Sequence, residues 1–142
     1  MKKGFTLIEL LIVMAAAAIV FSAVISNFGT AKRTLDLETS AQEISNSLKL
    51  IRQKALAASS QTELKGDLGI FILQMYAPVS NSTVRMSSKD LPGKILFDSP
   101  VSFKFAASGF PLAGYSGTAI LRSSSGKTKK IIVSSFGRIR IE

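Results

Sequence analysis

The chain offers few groups for catalytic chemistry. Its 142 residues include no Cys and no His. Thiol nucleophiles, disulfides, the commonest metal ligand and the usual neutral-pH base are therefore all missing. Serine triads and His-liganded zinc sites are excluded for the same reason. No Gly-rich phosphate loop is present, and no pattern marks a Ser/Lys pair. We predict a protein that is not an enzyme and uses no cofactor or metal.

One acidic residue stands in an unusual place. The 21-residue stretch from Phe5 to Ile25 is strongly apolar and its only charge is Glu9, and a short basic leader precedes it. About 20 apolar residues are enough to cross a bilayer as a helix. A carboxylate inside a bilayer costs about 2.5–3.5 kcal/mol on insertion scales, so Glu9 should have a partner.

Three interpretations of this N-terminus compete. A secretory signal needs a shorter apolar region and a small-residue cleavage site. The alanines at 15–18 could supply that site, but Glu9 interrupts the apolar region and strong hydrophobicity resumes after the alanines. A plain membrane anchor is the second interpretation, with Glu9 close enough to the helix end to reach the interface.

The third interpretation depends on a motif. The residues GFTLIE at positions 4–9, after the basic leader, resemble the class III signal of type IV pilins and type II secretion pseudopilins. The resemblance implies that a prepilin peptidase cleaves between Gly4 and Phe5, and that the new N-terminus on Phe5 is methylated. It also gives Glu9 a role in filament assembly.

Cleavage after Gly4 would create a partner for the acid. The α-amine of Phe5 has a reference pKa of about 8 and is largely protonated at neutral pH. Glu9 could pair with this amine in its own subunit, at i,i+4, or with the amine of a neighbouring subunit. The resemblance implies the second pairing, and the first stays open as the alternative.

The elements behind this motif predict an α+β fold. After the apolar segment, apolar residues recur at steps of three and four, the mark of an amphipathic helix. The stripe comprises Leu37, Ala41, Ile44, Leu48, Ile51, Ala55 and Ala58. A coiled coil is the alternative interpretation. The helix should end near residue 59, and Gly29 and Asn27 are its weak points.

Residues 61–142 change to short alternating runs typical of strands. We predict strands at 68–76, 95–97, 101–105, 118–122, 130–134 and 138–141, and an exposed loop with one short strand at most over 78–93. An antiparallel sheet packed on the helix would bury both apolar faces. Since the chain has no Cys, the last strand should be held by pairing and burial alone.

The C-terminal pattern is similar to the GspH/FimT group of minor pseudopilins and minor pilins. The similarity lies in FxFxxxGxP at 103–111, GTAIL at 117–121, IIVS at 131–134 and GRIR at 137–140. The middle of the chain departs from the group, because the long insertion of many members is shortened here. The resemblance implies the type IV pilin fold and a place in the tip or priming complex of a filament.

Charge is concentrated at the C-terminal end. The whole chain carries +9, and the candidate nucleic-acid-binding residues are Arg122, Lys127, Lys129, Lys130, Arg138 and Arg140. A clustered cationic surface of this kind is expected of proteins that bind nucleic acid. Some FimT-type pilins are similar in carrying Gly-Arg-x-Arg and capture DNA in natural transformation. No aromatic residues interleave with the charges, which favours phosphate contacts to double-stranded DNA without base stacking. The competing interpretation is a solvated strand face that prevents aggregation.

These observations predict four segments. Residues 1–4 form the leader, 5–30 a transmembrane helix, 31–60 the amphipathic helix of a stalk, and 61–142 a β-rich head. The resemblance implies a single pass through the inner membrane with the head in the periplasm or outside, and an extracellular filament after assembly. The implied partners are other pilins of the filament, the prepilin peptidase, the membrane and, in the alternative, DNA.

Overall fold

A computed structural model describes residues 6–77 and 82–142. It contains one long helix, α1 (Leu7–Ala58), followed by eight strands. The strands are β1 (Thr62–Asp67), β2 (Ile70–Ala77), β3 (Ser82–Asp90), β4 (Leu96–Phe97), β5 (Val101–Phe105), β6 (Gly117–Arg122), β7 (Thr128–Val133) and β8 (Ile139–Ile141). The chain divides within α1 into two compact units, with the boundary between Lys32 and Arg33.

The first unit is apolar and has little interior of its own. Its large side chains between Leu7 and Phe21 are all more than half exposed. Over the described residues, no helical stretch combines the length and the hydropathy required to assign it as a membrane span.

The second unit, which we call the head, packs eight strands against residues 33–58 of α1. Six residues of the predicted stripe are buried in its core, from Leu37 at 2 % exposure to Ala55 at 0 %. Ala58, the last predicted member, is exposed where the helix ends. Full burial of a Leu or Ile side chain contributes about 1.5–3 kcal/mol, so this stripe is a main source of the head's stability.

The strands form two four-stranded antiparallel sheets where the sequence predicted a single sheet. Sheet A has the order β3-β2-β1-β5, and sheet B the order β4-β6-β7-β8. Both contribute alternate residues to one core with the helix, for example Leu64 and Phe103 from sheet A and Leu121 and Ile131 from sheet B.

Two predictions about the strands were wrong. The strand predicted at 68–76 corresponds to β2, but the sequence missed β1 before it: residues 62–77 form the hairpin β1–β2, and Leu68 lies in its turn with φ of 49°. The predicted loop at 78–93 contains the nine-residue strand β3, whose exposed Ser-rich pattern hides the strand period; residues 78–81 lie outside the described residues. The other strands fall within a few residues of their predicted positions.

Three turns of the head share one design. Each turn spans five residues with a Gly in fourth position. The backbone N–H of the Gly donates to the carbonyl of the first residue, and the N–H of the first residue donates to the carbonyl of the fifth. The turns are 106–110, 123–127 and 134–138. Two of the glycines, Gly109 and Gly137, both have φ of 75°, the left-handed region in which a Cβ is unfavourable. The first and third of these turns meet at Arg52, near the C-terminal end of α1.

Candidate functional site

The N-terminal motif forms a capping box at the start of α1. The backbone N–H and the hydroxyl of Thr6 both donate to Oε2 of Glu9, each at 2.9 Å. In return, the backbone N–H of Glu9 donates to Oγ1 of Thr6 at 3.3 Å. Reciprocal bonds between a Thr at the N-cap and a Glu three residues later satisfy two backbone donors that the helix leaves free. Glu9 therefore fixes where the helix begins.

This geometry leaves part of the Glu9 carboxylate for another partner. Among the described residues, both bonds end at Oε2, and the side chain is exposed. A carboxylate accepts hydrogen bonds at both oxygens, so Oε1 can still receive an amine while the capping box stays intact. Gly4 and Phe5, the predicted processing and methylation residues, lie outside the described residues.

The predicted basic cluster is divided between the two faces of sheet B. Lys129 and Lys127 turn toward the helix: Nζ of Lys129 lies 2.8 Å from Oε2 of Glu38, and Nζ of Lys127 donates to Oγ1 of Thr34 at 3.0 Å. Lys129 lies two positions before the buried Ile131 on β7, and residues two apart in a strand share a face, so Lys129 is on the core face. These two lysines hold the sheet against α1 and are separated from the rest of the cluster.

A second part of the cluster faces outward. Arg140 pairs in register with Ile132 on the outer face, and Lys130 exchanges two backbone hydrogen bonds with Glu142, both at 2.8 Å. Arg138, just before β8, and Arg140 are exposed, whereas Ile139 packs against the core. Within the described chain, neither these two arginines nor Lys130 makes an ion pair.

Arg122, unlike Arg138 and Arg140, forms an ion pair with a carboxylate of the head. Its Nη2 lies 2.6 Å from Oδ1 of Asp98, and its Nε donates to the same oxygen at 2.9 Å. An exposed pair of this kind is worth about 0–1 kcal/mol. It nevertheless cancels one charge of the cluster, so the outward cationic surface reduces to Lys130, Arg138 and Arg140.

Arg52 of α1 connects two of the three similar turns. Its Nε donates to the carbonyl of Gly109, and its Nη1 donates to the carbonyl of Gly137, each at 2.9 Å. A Cβ added to Gly137 would lie 3.3 Å from both the guanidinium of Arg52 and the carbonyl of Gly109. Both this close approach and the positive φ of Gly137 therefore disfavour a side chain at that position of the GRIR motif. The last strand is held by Arg52 in addition to pairing and burial, which corrects the sequence-based expectation.

A smaller polar cluster lies on sheet A. Nζ of Lys104 is 4.5 Å from the ring centroid of Tyr115 and 3.8 Å from Oε1 of Glu63, which also accepts from the hydroxyl of Ser102 at 2.6 Å. A hydrogen bond with Tyr115 is the main cause that raises the pKa of Lys104, and the charge of Glu63 adds to it. This cluster joins β1 to β5 and the segment that follows.

Sequence reasoning missed both the capping box and Arg52. The first had a signal, since Thr-x-x-Glu before an apolar run is a known helix start. The second had none, because Arg52 looks like any other polar residue on the outer side of the stripe.

Comparison with known proteins gives two kinds of match: a family model matches the N-terminus, and solved structures match most of the chain. The family described as "Prokaryotic N-terminal methylation motif" matches residues 1–25. No curated protein matches the chain. Among solved structures, the minor pseudopilin EpsH from the type 2 secretion system of Vibrio cholerae is similar, with a TM-score of 0.63 at 12 % identity over 75 % of this chain and 96 % of EpsH.

The type IV minor pilin FimU of Pseudomonas aeruginosa is similar to the same extent. It gives a TM-score of 0.62 at 16 % identity, over 77 % of this chain and 90 % of FimU. The chain has the type IV pilin fold. The fold predicted from the resemblance is thereby confirmed, and a prepilin N-terminal motif stands ahead of it.

Within the pilin fold, the two candidate sites lie in different units. The capping box belongs to the first unit, and the outward basic surface and the Arg52 connection belong to the head.

Proposed function

We propose that the chain is a minor pilin or pseudopilin, a structural subunit of a type IV pilus or a type II secretion pseudopilus. The observation that carries the proposal is the conjunction of the N-terminal methylation motif at 1–25 with the pilin fold. In this proposal the prepilin peptidase cleaves after Gly4, Phe5 is methylated, and the subunit takes a place in the tip or priming complex.

The apolar surface of the first unit indicates that this segment lies in a hydrophobic environment in the cell. Ten large apolar side chains between Leu7 and Phe21 are 57–76 % exposed in the single chain. Apolar surface on this scale is rare in soluble monomers and marks contact with lipid or with other proteins. We therefore place this segment in the inner membrane before assembly, with the head on the periplasmic side, and among neighbouring helices in the extracellular filament afterwards.

Glu9 has two functions in this proposal. Oε2 closes the capping box with Thr6, and Oε1 receives the α-amine of a Phe5 from the neighbouring subunit. The two functions predict that different substitutions will prevent incorporation into filaments. Capping needs an acceptor, which Gln also provides, whereas pairing with an ammonium in a low-dielectric medium needs the negative charge.

Two variants separate these functions. Glu9→Gln keeps a capping acceptor and removes the charge, and Thr6→Val removes the capping hydroxyl and keeps the charge. We expect Glu9→Gln to lose incorporation into filaments, measured by immunoblot of sheared filaments against the membrane fraction, and Thr6→Val to retain it. Normal incorporation of Glu9→Gln would refute the assembly role, and loss only in Thr6→Val would assign Glu9 to capping.

A second candidate function is capture of double-stranded DNA by the head. It is favoured by the exposed Arg138 and Arg140, which lack ion-pair partners among the described residues, with Lys130 on the same outer face as Arg140. Three phosphate contacts predict that log K falls with log salt at a slope of about −2.7.

The test measures binding of the full chain in detergent to a double-stranded oligonucleotide over a range of salt concentrations. We expect the variant with Arg138→Gln and Arg140→Gln to bind weakly and to lose about two units of slope. Lys129→Gln is the matched control, because that lysine faces the helix. If the double variant binds as tightly as the wild type, the outward arginines do not contact DNA.

A further inference from the structure

A cleft opens on the face of sheet A that points away from the core. Its volume is about 130 Å³. Polar side chains and one aromatic ring line it: Gln61, Glu63, Gln74, Tyr76, Thr83 and Lys104. Leu64, Leu73 and Phe103 pair in register and face the core, so the residues next to them on these strands point outward. We call this feature the polar cleft.

The register of the strands brings these side chains together. Glu63 of β1 pairs with Gln74 of β2 on one side and with Lys104 of β5 on the other. The next outward-facing row comprises Gln61, Tyr76 and Thr83. Outward side chains of successive rows are two residues apart on each strand, so the two rows are neighbours and enclose one space.

The polar cleft presents hydrogen-bonding groups that the head does not use internally. Among the described residues, the side-chain amides of Gln61 and Gln74 and the hydroxyl of Thr83 have no hydrogen-bond partner. Oε1 of Glu63 accepts from the hydroxyl of Ser102 at 2.6 Å, whereas Oε2 accepts no hydrogen bond from the described part of the chain. Since an amide both donates and accepts, the cleft offers donors and acceptors side by side.

The charges at the centre of the cleft compensate one another. The carboxylate of Glu63, whose side chain is only 12 % exposed, lies 3.7 Å from Nζ of Lys65 and 3.8 Å from Nζ of Lys104. The ring of Tyr115, 4.5 Å from Nζ of Lys104, helps to fix that ammonium. A small anion would be repelled by the carboxylate and a small cation by the two ammonium groups, so the cleft favours a neutral ligand.

A neutral ligand for this cleft must donate and accept at several neighbouring atoms. A hydroxyl does both at a single atom, and a sugar ring carries hydroxyls on adjacent carbons. The C–H face of such a ring is apolar, as is the ring of Tyr76 that lines the cleft. Sites for larger ligands have volumes of about 300–1,000 Å³, so a cleft of about 130 Å³ selects a single ring that stays partly exposed.

We propose that the polar cleft binds one sugar ring, either as a free monosaccharide or as the terminal unit of a glycan. The amides of Gln61 and Gln74 and Oε2 of Glu63 bond its hydroxyls. Tyr76 contacts its C–H face. This inference goes beyond the proposed function, because neither Glu9 nor the outward basic surface takes part in the polar cleft.

Saturation-transfer NMR of the full chain, in a detergent without a sugar headgroup, tests the proposal. The probes are D-glucose, D-galactose, D-mannose and N-acetyl-D-glucosamine, and sorbitol is the control because it carries hydroxyls without a ring. We expect at least one of the four sugars to bind with a Kd of about 1 mM, and sorbitol to bind much more weakly. Absence of transfer from all four sugars at about 50 mM would overturn the proposal, and so would equal binding of sorbitol.

Variants then locate the binding. Gln74→Leu should weaken it about tenfold, the effect of losing two hydrogen bonds, and Thr83→Val about threefold. Thr83 is exposed on the edge strand β3, so its replacement leaves the core intact even if Gln74→Leu fails to fold. Gln53→Leu, at an exposed amide of α1 outside the cleft, is the matched control and should bind like the wild type. Wild-type affinity in both cleft variants, or an equal loss in Gln53→Leu, would refute the assignment to the polar cleft.

An oligosaccharide that ends in the bound sugar distinguishes the two sources. A site for a glycan terminus binds it at least as tightly as the monosaccharide, whereas a site for the free sugar excludes it. Because Glu9 is intact in all these variants, loss of sugar binding leaves incorporation into filaments normal and is distinct from failure of the assembly role.

Discussion

Replacing Arg52 with Met should destabilise the head by about 3 kcal/mol. The side chain is half-buried and donates two hydrogen bonds of 2.9 Å to the carbonyls of Gly109 and Gly137. Bonds from a charged donor contribute about 1.5–3 kcal/mol each. Both carbonyls belong to surface turns that water can reach after the change, so the lower value applies to each. Methionine keeps most of the packing volume, which confines the loss to the hydrogen bonds.

The assay is thermal unfolding of the full chain in detergent, followed by circular dichroism of the strands. For a head of about 110 residues, 3 kcal/mol corresponds to a fall in Tm of about 13 °C. Lys54→Met is the matched control, an exposed cation on the same helix without a hydrogen bond or ion pair among the described residues, and its Tm should change by less than about 2 °C. Equal Tm values for the two variants would refute the connecting role of Arg52. Faster hydrogen exchange of the β8 amides in Arg52→Met would locate the loss in the last strand.

Two further predictions concern the turns and the polar cluster of sheet A. Gly137→Ala should lower the free energy of unfolding by about 1 kcal/mol more than Gly126→Ala does. Both residues have positive φ, but an added Cβ would lie 3.3 Å from Arg52 only at Gly137. Equal losses for the two variants in urea unfolding would contradict this reasoning. The raised pKa of Lys104, due mainly to Tyr115 and also to Glu63, means that protonated Lys104 stabilises the head below its ordinary pKa of 10.5 and ceases to do so as pH rises above the folded value. The destabilisation caused by Lys104→Met should therefore disappear in alkaline solution, and a penalty that persists there would show that packing alone is responsible.

Elements whose pattern reflects burial could be predicted from the sequence. The helical stripe from Leu37 to Ala55 repeats at the helix period because one face is buried, and six of its seven predicted members lie in the core. Strand β5 alternates cleanly because Phe103 and Phe105 face the core, and its bounds agree with the prediction. In both cases the local sequence and the tertiary environment agree, which is what makes a pattern readable.

The remaining elements are decided by contacts distant in sequence. Strand β3 is exposed on both faces and pairs with β2 at the edge of sheet A. Its sequence therefore lacks the alternation of apolar and polar residues that would identify a strand. Lys129 and Lys130 are adjacent in sequence, yet Lys129 faces Glu38 and Lys130 lies on the opposite face of β7, because successive strand residues alternate between faces. The role of Arg52 depends on two turns that come together only in the folded head, and no local signal reports it.

The bond from Arg52 to Gly137 joins residues 85 positions apart. Contacts of such long sequence separation form late, because closing a large loop is entropically costly before other contacts reward it. During synthesis, the helix leaves the ribosome well before the final hairpin exists. The head therefore cannot complete its fold until translation has passed Gly137, the last glycine of the turns.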